Sequence, residues 1–149
     1  MTIRTSRSVL LRALAAVAVV MAPAGILAQA TMPGASLATV RLPHAALADG
    51  QALAAGTYAV RLSDAPVPPV VGQAPDAACW IEFVQSGAVK GRELATVLTG
   101  AAVKQVAKEA PPAAGHARVE MLAGATYLRV WINHAGTNYL VHLPVSPAR

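Results

Sequence analysis

Cysteine is nearly absent from this sequence: Cys79 is the only one in 149 residues. One thiol cannot close a disulfide within the chain, so stability must come from an apolar core. Aromatic residues are scarce as well, with two Trp, three Tyr and one Phe, which argues against an extended stacking groove. Charged residues make up 13% of the chain, and the Lys and Arg are scattered. Without a clustered basic patch there is little to hold a phosphate backbone, so nucleic acid is excluded as a partner. Catalytic motifs are missing too. None of His44, His116, His134 and His142 pairs as His-x-His or His-x-x-x-His, and no Glu joins them at metalloprotease spacing. Ser86-Gly87 lacks a nucleophile elbow, and there is no phosphate-binding glycine loop. The expectation is no catalytic residue, no cofactor and no metal: not an enzyme.

The first thirty residues do carry a signal. Arg4, Arg7 and Arg12 make a positive start, and the uninterrupted apolar stretch from Ala13 to Met21 follows. That stretch falls short of the roughly 20 residues a membrane-spanning helix requires. Pro23 and Gly25 break any helix, and Ala28-Gln29-Ala30 matches a signal peptidase site. The reading is a signal peptide over 1–30, export by the general secretory route, and a mature chain from Thr31 without a transmembrane segment. An uncleaved anchor is the competing reading. Periplasm and extracellular space are not distinguished, and the oligomeric state is open.

Removing 30 of 149 residues leaves 119, one domain's worth of chain. Three of the 12 Lys and Arg go with the signal, so 9 remain against 7 Asp and Glu, about +2. Residues 31–36 read as a flexible leader and 37–149 as a single β domain. Strands are expected at 37–42, 53–62, 79–85, 89–98, 118–122, 127–133 and 138–143, separated by Gly and Pro signals. Asp49-Gly50 and Ser86-Gly87 mark turns, and Gly91 marks a bulge. Residues 65–76, with Pro66, Pro68, Pro69 and Pro75, form an extended loop, because proline lacks the donor a ladder requires. Over 101–110 the spacing of Val103, Val106 and Ala107 fits one short helix, or a strand flanked by the two valines. The class is all-β: a small antiparallel β-sandwich or barrel of about seven strands.

At Leu53-Ala54-Ala55-Gly56-Thr57-Tyr58 the chain resembles the Pro-Ala-Gly-x-Tyr strand start of secreted prealbumin-like and carboxypeptidase-regulatory-like β-sandwich modules. The likeness covers about ten residues, and alanine stands where those modules often have proline. It implies a sandwich used as a binding or spacer unit. No functional residue is carried over.

The most informative stretch is the terminal hairpin over 127–143, where two registers compete. A three-residue loop, His134 to Gly136, pairs Trp131 with Tyr139. A two-residue Ala135-Gly136 turn instead sets Ile132, Val130 and Leu128 against Tyr139, Val141 and Leu143, one wholly apolar face. Turn chemistry favours the first, since a type I′ turn prefers Asn or Gly where Ala135 stands. We expect the first. The second would gather Tyr127, Arg129, Trp131 and His142 on the other face as an aromatic-cationic strip suited to a sugar or a partner chain. These four are the candidate binding residues.

The functional expectation is a non-enzymatic envelope module that binds a protein, polysaccharide or small ligand through a sheet face or the Pro-rich loop. The alternative is a metal- or redox-handling envelope protein using the histidines, with Met121, and Cys79. Cys79 is an inert buried thiol or forms an intermolecular disulfide. Glu82 and Glu93 could approach across a hairpin as an acid/base pair of the glycosidase kind, but they are read as solvent-facing charges near Lys90 and Arg92.

Overall fold

A computed structural model describes residues 34–106 and 109–146, so the expected signal peptide lies outside the described residues. The strands are β1 (Ser36–Leu42), β2 (Ala46–Ala48), β3 (Gln51–Leu53), β4 (Gly56–Leu62), β5 (Ala78–Gln85), β6 (Ala88–Leu98), β7 (His116–Met121), β8 (Tyr127–His134) and β9 (Thr137–Pro144). One helix, α1 (Ala101–Val106), follows β6, which makes residues 101–106 of the ambiguous stretch helical.

Seven strands form one sheet in the order β1-β4-β5-β6-β9-β8-β7, every hydrogen-bonded pair antiparallel. The sheet curls until β1 lies against β7 and β8, so it nearly closes into a barrel. In this order the first and last strands run the same way, and no ladder joins β1 to β7. At this seam His134 Nδ1 lies 3.3 Å from the Leu37 carbonyl oxygen.

Alternation along each strand sends one set of side chains inward. Val60, Ile81, Phe83, Leu128, Val130, Ile132, Val141 and Leu143 are all fully buried there. Tyr58 and Phe83 meet edge to face, ring centroids 6.2 Å apart. The Tyr58 hydroxyl donates to the Ala54 carbonyl at 2.8 Å, which ties the start of β4 to the chain before it. Strand β6 pairs with β9 only over Thr96–Leu98, leaving the sheet open beside its earlier residues. The β2–β3 hairpin, turned by Asp49-Gly50, fills that opening with Ala46, Ala48 and Leu53. Gly91 makes room for it: a Cβ there would stand 3.1 Å from Leu53 Cδ2 and 3.2 Å from the Ala48 Cβ. The expected bulge is at this place, where the register slips between Phe83 and Val84.

Two expectations are corrected. Residues 34–36 are not a loose leader: the Gly34 amide donates to the Leu62 carbonyl at 2.8 Å, Leu62 donates back to Ala35, and β1 begins at Ser36. The terminal hairpin takes the second register, with Ile132 opposite Tyr139, Val130 opposite Val141 and Leu128 opposite Leu143. Ala135 accepts a φ of 50° and Gly136 one of 86° to make the two-residue turn. A left-handed alanine costs about 1–2 kcal/mol. The three-residue loop would turn one strand's set outward, either Leu128, Val130 and Ile132 or Tyr139, Val141 and Leu143, at about 1.5–3 kcal/mol each. Burial outweighs turn chemistry.

Candidate binding surface

The observed register does bring Tyr127, Arg129 and Trp131 of β8 and His142 of β9 to the outer face, with Arg129 directly opposite His142. It does not leave them as an open strip. Trp131 is 0% exposed, covered by Leu98, Val103 of α1 and Leu140 in a small second core outside the barrel. Its indole Nε1 donates to Asn138 Oδ1 at 2.8 Å, so its polar atom is satisfied within the fold. The Arg118 and Arg129 guanidiniums stand 5.1 and 5.8 Å from the ring centroid.

Glu120 holds both arginines. Arg129 Nε donates to its Oε2 at 2.8 Å, and Arg129 Nη2 reaches the same oxygen. Arg118 lies at ion-pair distance from Glu120 (2.5 Å) and Glu109 (3.5 Å), though its buried Nε and Nη2 lack hydrogen-bond alignment there. Asn133 Nδ2 donates to the Pro112 carbonyl at 2.8 Å, strapping the connection after α1 to the end of β8. Of the four candidates only Tyr127 and His142 stay exposed. Burial, and secondarily the Arg129 charge, hold the His142 imidazole below its ordinary pKa.

The second tryptophan, which the sequence reading passed over, has a different setting. Trp80 pairs with Leu94 and shares the outer face with Glu82 and Arg92. The Arg92 guanidinium stacks 4.8 Å from its ring centroid. Its Nε1 donates to the Pro66 carbonyl at 3.2 Å, fixing the start of the Pro-rich loop to the sheet. Around that anchor the Ser63 amide donates to the Trp80 carbonyl at 2.9 Å, Ser63 Oγ donates to Glu82 at 3.1 Å, and Ser63 Oγ accepts from the Ala65 amide at 3.3 Å. Glu82 is further held by Arg61 Nε at 2.7 Å. At the tip the Gln73 amide donates to the Val70 carbonyl at 3.1 Å, with Gly72 at φ 83° in the third position, as a type II turn requires.

The remaining sequence candidates separate in space. Glu82 faces outward opposite Arg92, whereas Glu93 sits opposite inward-facing Ile81 and accepts the Asp49 amide at 2.7 Å. The two carboxylates thus occupy opposite faces of the sheet. Cys79 packs half-buried against the inner core, and desolvation pushes its thiol up to about 11, so at neutral pH it is a protonated thiol and a poor nucleophile. Among the described residues no three of the His, Cys, Asp and Glu side chains come together as a metal would require, and no described helix is long and apolar enough to cross a membrane.

Comparison with protein families, with curated proteins and with solved structures finds no match to this chain.

Proposed function

We propose that this chain is an exported, non-enzymatic binding module of the cell envelope, and that it acts on its outer surface by engaging a protein partner. The filled interior carries the reading: Leu128, Val130, Ile132, Val141 and Leu143, which line the inside of the sheet, are all 0% exposed. Binding therefore falls to the outside. A polysaccharide would call for an open aromatic platform, and the strip that might have supplied one is closed over Trp131. What stands free instead is the Pro-rich loop, whose tip holds Val70 at 57% and Val71 at 103% exposure. Apolar side chains presented to water on a fixed backbone suit a protein interface.

The test is native mass spectrometry of the protein taken from its host's extracytoplasmic fraction. The expected masses are those of the chain from Thr31 to Arg149, alone or with a protein partner. A mass retaining residues 1–30 overturns export, and a stoichiometric metal or small ligand overturns the surface-binding reading.

A further inference from the structure

Building on that reading, we propose that residues 65–69 are a preformed extended ligand, read together with Val70 and Val71 at the turn that follows by a partner protein in an aromatic-lined groove with a basic rim. Proline restricts itself and the residue before it to extended geometry. In Ala65-Pro66-Val67-Pro68-Pro69 every residue is a proline or precedes one. The segment forms neither helix nor strand, so its conformation is set by these local restrictions. Pro66 and Pro69 stand three apart, one turn of a polyproline II helix, which has three residues per turn and a backbone open to outside partners. Grooves lined with aromatic side chains read that shape because it loses little entropy on docking.

Three observations make the segment more than a loop rich in proline. It is fixed at its root by Trp80, Ser63 and Glu82, so its direction relative to the sheet is set before any partner arrives. Its tip carries the two most exposed large apolar side chains among the described residues, adjacent to each other and outside both cores. Its flanks are acidic: Asp64 and Asp76 are exposed, and no Lys or Arg occurs between Arg61 and Lys90. The acidic flanks call for basic residues at the rim of the partner's groove and weigh against an anionic membrane surface, which attracts cations.

The test places a photo-crosslinking amino acid at Val71 of the full chain in its own host, with Val89 and Tyr127 as control positions, both exposed elsewhere on the surface. The expected result is a discrete protein adduct from position 71 alone. The trapped protein, once purified, should bind the wild-type chain about tenfold or more tighter than a Pro66→Gly, Pro68→Gly, Pro69→Gly variant that retains the parent melting temperature. A second variant, Val70→Ser with Val71→Ser, keeps the prolines and should also weaken binding. Equal affinity for the wild type and the glycine variant overturns the proposal, as does a lipid adduct at position 71. Adducts from position 89 or 127 only would overturn it while leaving the surface-binding function standing. No adduct at any position would overturn both.

Discussion

Each tryptophan of this protein stands on the outer face of the sheet with an arginine over its ring, yet one becomes core and the other an anchor. Trp131 disappears beneath α1, its indole bonded to Asn138 within the same hairpin. Trp80 stays half-buried and spends its indole on the Pro66 carbonyl, a loop backbone group 14 residues away. The difference lies in the connections. The one after β6 reads Gly100-Ala101-Ala102-Val103, and alanine readily forms the single helical turn that lays Val103 on the indole. The one before β5 carries four prolines, which deny it both helix and ladder and leave it standing off the sheet. A tryptophan with an arginine is therefore not in itself a binding surface; the composition of the neighbouring segment decides whether it is roofed.

Truncating each ring is the strongest way to break this comparison. Trp131→Ala empties a fully buried site and strands Asn138 Oδ1, so it should cost about 3–5 kcal/mol. Trp80→Ala removes a partly exposed ring and one hydrogen bond, and about 1–2 kcal/mol is expected. Urea denaturation of the two variants beside the parent measures both. Equal losses would mean that Trp80 is core in solution and that the loop is not an independent projection.

Much of the fold can be read along the chain, because the strands alternate and Gly or Pro separates them; the seven sheet strands fall within a few residues of their expected places. The small β2–β3 hairpin was not expected: Ala46-Leu47-Ala48 offers little polar contrast to reveal a period, and the single strand expected over 53–62 is broken after Leu53. The observed hairpin register departs from the expected one because turn preference acts on two residues, whereas burial acts on the whole inner face. The site was less legible for the same reason. The cover on Trp131 comes from Val103, nearly thirty positions earlier, and the anchor from Trp80 to Pro66 spans 14 residues. Neither contact follows from local pattern.

The Ala135-Gly136 turn offers a sharper and smaller test. Both hairpins that carry a tryptophan turn through a non-glycine residue at positive φ, Ser86 at 52° and Ala135 at 50°. If Ala135 is strained and retained only for the burial it permits, Ala135→Asn should stabilise the protein by about 0.5–1 kcal/mol, since Asn tolerates that conformation. The denaturation midpoint should rise with no change in slope. A fall would mean that the turn is not the two-residue form, and the placement of Trp131 on the outer face would fall with it.

The smallest effect expected is in pH dependence, and it concerns His142. Arg92, over Trp80, has Asp49 within 3.6 Å, whereas Arg129, over Trp131, stands opposite His142. Burial first, and the Arg129 charge second, lower the His142 pKa from its ordinary value of 6.5. With the folded pKa below the unfolded one, the unfolded chain binds the proton more readily between the two values. Stability is then full above about 6.5 and declines as the pH drops toward the folded pKa. His142 is exposed, so solvent screening keeps the effect small. Melting temperatures from pH 7.5 to 5 should fall more steeply for the parent than for His142→Gln, with the other histidines common to both. Parallel curves would show that neither burial nor the Arg129 charge disfavours the protonated His142 imidazole in the folded protein.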